Sequence, residues 1–148
     1  MTLSIKNLTD ISQSEWMILW KAYQAFYKTT LSEEVNANTW RRLTDPKVQE
    51  MYGFAALIDQ RVVGIVHVVE HLSCWTLEPY AYLQDLFTLD EYRGQGVAKA
   101  LIRQIETFCK QRKCDRVYWL THQDNLTAQK LYDRIATKTG FIQYRLAT

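Results

Sequence analysis

Residues 92–102, YRGQGVAKALI, set two glycines one residue apart, behind an arginine and directly before an amphipathic helix. Only five glycines occur in 148 residues. Glycine loses more conformational freedom on folding than any other residue, so packing alone gives no reason for such a pair. A glycine turn that opens a helix lets a ligand approach the backbone. The helix start offers free N–H groups and the positive end of the macrodipole, so the guest it suits is an anion, most often a phosphate. Successive N–H groups of Gly94, Gln95, Gly96, Val97, Ala98 and Lys99 can wrap a pyrophosphate.

The remaining pattern predicts a sheet with helices on its faces. Residues 2–9 have the pattern of a first strand, and Asp10 or Ser12 can cap the helix that follows. In that helix Trp16, Leu19, Trp20, Tyr23, Phe26 and Tyr27 recur at helical spacing. They hold much of an unusual aromatic content, five Trp and nine Tyr. Residues 31–46 predict a loop and a short second helix ending before Pro46, with Ser32 and the acids after it at its start. Residues 53–59, a turn at Asp59–Gln60 and residues 61–72 predict a β-hairpin, and residues 80–89 a third long strand. After the glycine turn, Val97, Leu101, Ile105 and Phe108 share one helix face. Residues 116–121 predict a short strand, 125–139 a helix closed by Gly140 as C-cap, and 141–147 a last strand. The expected order is β-α-α-β-β-β-α-β-α-β, an α/β (α+β) mixed sheet flanked by helices, with residues 1–148 in a single domain.

Three phosphate motifs compete for the turn. A P-loop needs Gly-x-x-x-x-Gly-Lys-Ser/Thr, which the sequence lacks. A dinucleotide fingerprint needs a third glycine where Lys99 stands. What remains is Arg-Gly-Gln-Gly-Val-Ala between a strand and a helix. With its flanks, LFTLDEYRGQGVAKALI resembles the acetyl-CoA motif of the GNAT N-acetyltransferase superfamily, Arg/Gln-x-x-Gly-x-Gly/Ala, with Arg93, Gly96 and Ala98 in the motif positions. The segment DNLTAQKLY…GF is similar to the family's second motif, an Asn opening a helix and a Tyr seven residues on. The resemblance spans nearly the whole chain. It implies a mixed, mostly antiparallel sheet with about four helices, acetyl-CoA as co-substrate and no metal. The eight residues from Tyr132 to Gly140, against the usual four, and the opening EWMILWKAYQAFY resemble the histone and polyamine acetyltransferase branch. The extra four are expected to lengthen the helix by about one turn.

In acetyl transfer a neutral amine attacks a thioester, an oxyanion needs stabilising and a thiolate needs a proton. The resemblance places the oxyanion donor at the backbone N–H of Leu86 or Phe87. The strand Leu86–Thr88 can hydrogen-bond an extended pantetheine arm as an added strand. Tyr132 matches the general acid, since a phenol with an ordinary pKa near 10 carries its proton at neutral pH. Asn125 matches a cofactor-contacting Asn and also suits a plain helix N-cap. Polyamine-type relatives have Glu-Asp where this chain has Gln84-Asp85, and Gln84 cannot take a proton. Asp85 remains as a base, although neighbouring strand residues face opposite ways. A water relay to Glu70, Glu78, Glu33 or His67 is the alternative.

By position, Glu33 and Glu34 correspond to acids that hold distal ammonium groups in the polyamine enzymes. Carboxylates beside Trp20, Tyr23, Tyr27 and Trp40 suit a polycation. They equally suit the solvated first turn of a helix. The expected substrate is a primary amine, of polyamine or lysine type, on a small molecule or peptide. An aminoglycoside enzyme and a non-catalytic acyl-CoA sensor are the rival readings. A net charge of +2 with no basic stripe disfavours nucleic acid, and no apolar run is long enough to span a membrane. Cys74, Cys109 and Cys114 lack metal-ligand spacing and suggest reduced thiols and a cytoplasmic location. A homodimer is expected.

Overall fold

The computed structural model describes residues 2–148. Its elements are β1 (Leu3–Asn7), α1 (Gln13–Phe26), α2 (Glu33–Thr44), β2 (Met51–Ile58), β3 (Arg61–His71), β4 (Tyr80–Thr88), α3 (Val97–Gln111), β5 (Arg116–Tyr118) and α4 (Leu126–Ile135). The sheet order is β1-β2-β3-β4-β5, antiparallel through β4, with β5 parallel to β4. A mostly antiparallel sheet with four helices is the expected fold.

Local chemistry sets the helix starts. Ser12 and Glu15 form a reciprocal capping box on α1, and the Ser32 side chain caps α2 through the Val35 N–H. Asp59 and Gln60 both take positive φ, 49° and 69°, as a two-residue hairpin turn requires. β2 and β3 are buried on both faces. One face packs under α1 and α2 through Trp16, Leu19, Trp20 and Leu43. The other packs under α3 and α4 through Val97, Leu101, Ile105 and Leu131. At Gly64 an added Cβ would sit 2.7 Å from Val97 Cγ1. The start of α3 therefore lies directly on β3, which fixes the glycine turn against the sheet.

Three sequence expectations are corrected here. The strand expected over 116–121 stops at Tyr118, because residues 119–121 leave β4. The helix expected to reach Gly140 ends at Ile135, with Ala136 extended at φ −146°. Thr137 and Thr139, stiff at χ1, favour extended chain, so the extra residues before Gly140 lengthen an extended segment and not the helix. The strand expected over 141–147 does not form. A strand needs a neighbouring backbone, and β5 offers only three residues. Phe141 and Leu146 stay 93% and 89% exposed.

Glu70, one of the relay candidates, is already engaged by an arginine and a tyrosine. Its carboxylate accepts from Arg112 Nε at 2.6 Å and Nη2 at 2.9 Å, and from the Tyr52 hydroxyl at 2.6 Å. Burial alone would raise this carboxyl, but the bonds from Arg112 and Tyr52 outweigh it and hold it below its ordinary value of 4.5. A carboxyl lowered by folding stabilises the native state above its unfolded pKa. That contribution is lost as pH falls through the folded value. Glu70→Ala is therefore expected to cost about 2–3 kcal/mol near neutrality and much less in acid. This lies below the cost of breaking a fully buried pair, because Arg112 is one-third exposed and can turn to water. Thermal melts of both proteins across the acid range check this.

Candidate active site

β5 pairs with β4 only at Tyr80–Tyr82. The Tyr82 and Tyr118 rings stack at 5.0 Å at the closed end of this junction. Beyond them the chain at Trp119, Leu120 and Thr121 diverges, opening a cleft of about 430 Å³ against Leu83–Thr88. Among the described residues no strand covers the outer edge of that part of β4. Tyr23 and Phe26 of α1, with Tyr27 just past its end, wall one side, and Ala128, Leu131 and Tyr132 of α4 the other.

The glycine turn forms one end of the cleft. Gly94 and Gly96 take φ of 75° and 82°, and space is open where a Cβ would stand. Gly96 is the N-cap of α3, and no side chain caps that helix. Its first N–H groups are therefore left for a ligand. Gly94, Gly96, Val97, Ala98 and Lys99 line the cleft. Gln95 instead donates to the Glu91 carbonyl at 3.4 Å. Arg93 lies over the Phe26 ring at 5.3 Å and pairs with Asp90 at 3.1 Å. The Thr88 hydroxyl, on the cleft wall, is buried without a hydrogen-bond partner among the described residues. An open strand edge, an orphaned hydroxyl and an uncapped helix behind two positive-φ glycines together fit an extended thioester ending in phosphates.

Tyr132 is half-buried at the cleft, with Trp119 edge-on at 5.4 Å. Burial and the nearby Tyr27 push its phenol upward, so it keeps its proton near neutral pH. Asn125 stands at the N-cap of α4, but its side chain makes no capping bond and lines the cleft. Leu86, Phe87 and Gln84 also line it.

The structure does not bring every expected residue there. Glu33 and Glu34 sit on the first turn of α2, outside the lining; Glu33 pairs with Lys21 at 3.1 Å. Glu78 is exposed in the loop between β3 and β4. Asp85 lies behind the wall, 3.0 Å from His67 Nδ1. The wall at Trp119–Thr121 carries no functional signal in the sequence.

Residues 11–136 match the model of the "Acetyltransferase (GNAT) family". The D-amino-acid N-acetyltransferase HPA3 of Saccharomyces cerevisiae is 32% identical over 95% of this chain and 88% of its own length. An aminoglycoside N(6')-acetyltransferase type 1 of Acinetobacter baumannii is 24% identical over 76% of this chain and 75% of its own length. The fold superposes on AAC(6')-Iy in complex with a bisubstrate analogue, CoA-S-monomethyl-acetylneamine. The TM-score is 0.86 at 16% identity, with 100% and 99% of the two chains covered. The chain belongs to the GNAT acetyltransferase family and is an acetyl-CoA-dependent N-acetyltransferase. Among the described residues no helix is long and apolar enough to cross a membrane, and no His/Cys/Asp/Glu cluster forms a metal site.

Proposed function

We propose that residues 1–148 act as one domain that moves acetyl from acetyl-CoA directly to the primary amine of a compact, amino-acid-like substrate. One observation carries the choice of amine. The cleft lining includes Arg93, Lys99 and Arg134 but no carboxylate. Cations suit the cofactor's phosphates and a substrate with its own carboxylate; they repel a polycation. The name of the yeast relative, a D-amino-acid N-acetyltransferase, agrees with this. The polyamine or lysine-type amine expected from Glu33 and Glu34 loses support, because those acids stand outside the lining. Membership of the histone and polyamine acetyltransferase branch remains part of the proposal. It is supported by the long Tyr132–Gly140 spacing and concerns sequence pattern more than the amine.

The chain's own residues supply three functions in this proposal. N–H groups from Gly94 to Lys99 bind the pyrophosphate, and the edge Leu86–Thr88 holds the pantetheine arm, with Asn125 alongside. A backbone N–H at Leu86 or Phe87 donates to the developing oxyanion. Tyr132 protonates the departing thiolate. The free thiols Cys74, Cys109 and Cys114 are consistent with a reducing, cytoplasmic setting. A homodimer would cover Phe141, Ile142, Leu146 and Trp75, all exposed here; a monomer mass by light scattering would remove that part.

A thiol-release assay over D- and L-amino acids, spermidine, lysine and an aminoglycoside tests the substrate. Amino acids are expected to exceed spermidine in kcat/KM by about tenfold or more, roughly the discrimination of one charged contact. Preference for spermidine would overturn the amino-acid assignment and return the acids of α2 to the site.

A further inference from the structure

Where β5 leaves β4 decides where the cleft opens, and β5 pairs with β4 only at Tyr80, Ala81 and Tyr82. A parallel pair this short has few backbone bonds to hold it. Side chains on one face of the sheet add to them. Ala81 and Leu83 of β4 and Val117 of β5 pack with the α3 core, so Tyr80, Tyr82 and Tyr118 point to the opposite face. There the Tyr82 and Tyr118 rings stack at 5.0 Å, and Arg116 lies over the Tyr80 ring at 4.1 Å.

A second fastening reaches Tyr118 from β3. His71, the last residue of β3, pairs with Tyr80, and paired residues share a face. The His71 ring meets the Tyr80 ring at 5.5 Å and the Tyr118 ring at 5.7 Å, both edge-on. Its Nε2 lies 2.7 Å from the Tyr118 hydroxyl and its Nδ1 2.8 Å from the Leu72 carbonyl. A carbonyl only accepts, so Nδ1 donates, and in the neutral ring Nε2 accepts the Tyr118 O–H. Both ring nitrogens are engaged, so the imidazole is fixed. Tyr118 is thereby tied to β3 as well as to β4.

The next residue carries this fastening into the cleft. Trp119, the first residue past β5, packs against the α3-side core together with Leu131 and Tyr132. Its indole meets the Tyr132 ring edge-on at 5.4 Å. A hydrogen bond, a peptide link and a ring pair thus join His71 to Tyr132.

We propose that His71 and Tyr118 are positioning residues for the general acid. Their hydrogen bond holds the end of β5, and with it the Trp119 ring that sets the orientation of the Tyr132 phenol. The proposal rests on Tyr132 as the acid in the function above. That acid must lie within hydrogen-bond reach of the sulfur as the C–S bond breaks. A small displacement of its ring therefore lowers the rate and leaves the phosphate end of the cleft untouched.

Steady-state kinetics and acetyl-CoA melting shifts of the full chain, in single and double variants, test it. Tyr118→Phe keeps the stack on Tyr82 and removes only the hydroxyl. This variant and His71→Ala are expected to lower kcat by about 3- to 10-fold, the range one hydrogen bond supports, with acetyl-CoA KM unchanged. His71→Gln sets an acceptor oxygen near the place of Nε2 and should stay within about twofold of wild type. Added to Tyr132→Phe, Tyr118→Phe should cost no further rate, because no phenol proton is left to position. A junction that only stabilised the fold would show the same loss in both backgrounds. Wild-type kcat in Tyr118→Phe and His71→Ala would overturn the positioning role. So would a loss of the acetyl-CoA melting shift, or a rise in acetyl-CoA KM as large as the fall in kcat. Equal loss in His71→Gln and His71→Ala would overturn the hydrogen bond as the cause. Full additivity with Tyr132→Phe would overturn the route through that phenol. Full activity of Tyr132→Phe alone would instead remove the acid, and with it the reading on which the proposal rests.

Discussion

Tyr132→Phe is expected to lower kcat for amine acetylation by about 100-fold and to leave acetyl-CoA affinity almost unchanged. The substitution removes one hydroxyl and almost no surface, so uniform binding survives and only a transition-state interaction is lost. The ring keeps its edge-on contact with Trp119, and the cleft wall stays in place. One general acid supplies roughly 10²–10⁴ in rate, and water reaching an open cleft replaces part of it. The upward shift of this phenol by burial and Tyr27 makes it a proton donor throughout the neutral range. Its loss should therefore be similar from pH 6 to 9. Pre-steady-state thiol release checks this, and full activity would make Tyr132 structural.

Gly96→Glu is expected to abolish the rise in melting temperature that acetyl-CoA should produce in the wild type. A ligand that binds only the folded state stabilises by RT ln(1 + [L]/Kd), about 2.7 kcal/mol at a hundredfold excess over Kd. Gly96 lies at φ 82° with open space at its Cβ position. A glutamate there sets a carboxylate where the pyrophosphate is expected, and repulsion replaces attraction at the helix start. Backbone strain costs about 1–2 kcal/mol as well, so the unliganded variant melts lower. Gly96→Ala carries the strain without the charge and separates the two effects: it keeps most of the ligand shift. A normal shift in Gly96→Glu would remove the phosphate site from this turn.

The two motifs were legible because their signals are local. A glycine pair before a helix of helical periodicity needs no knowledge of distant contacts, and the structure gives both glycines positive φ. The capping residues Ser12 and Ser32 were legible for the same reason. What escaped was pairing. Between His67 and Val68 the β3–β4 register shifts so that Gln84 is an extra residue and Asp85 faces His67; such a shift depends on pairing that no single strand encodes. The alternating segment 141–147 suits a strand, yet strand formation depends on an edge, and β5 is too short to offer one. Glu70 looked like a relay candidate until Arg112, 42 positions away, took its carboxylate. Glu33 and Glu34 have the charge for a polycation site, but their charge says nothing of what stands above α2. That space holds Lys21.

Hydrogen exchange of backbone amides, with and without acetyl-CoA, tests most directly whether the cofactor lies on the open edge of β4 with its phosphates at the glycine turn. Protection is expected to rise at Leu86–Thr88 and at Gly94–Lys99, with no comparable change in the β2–β3 hairpin. The increase at Gly94–Lys99 should vanish in Gly96→Glu. Protection concentrated elsewhere, with these two segments unchanged, would contradict the placement of acetyl transfer in this cleft.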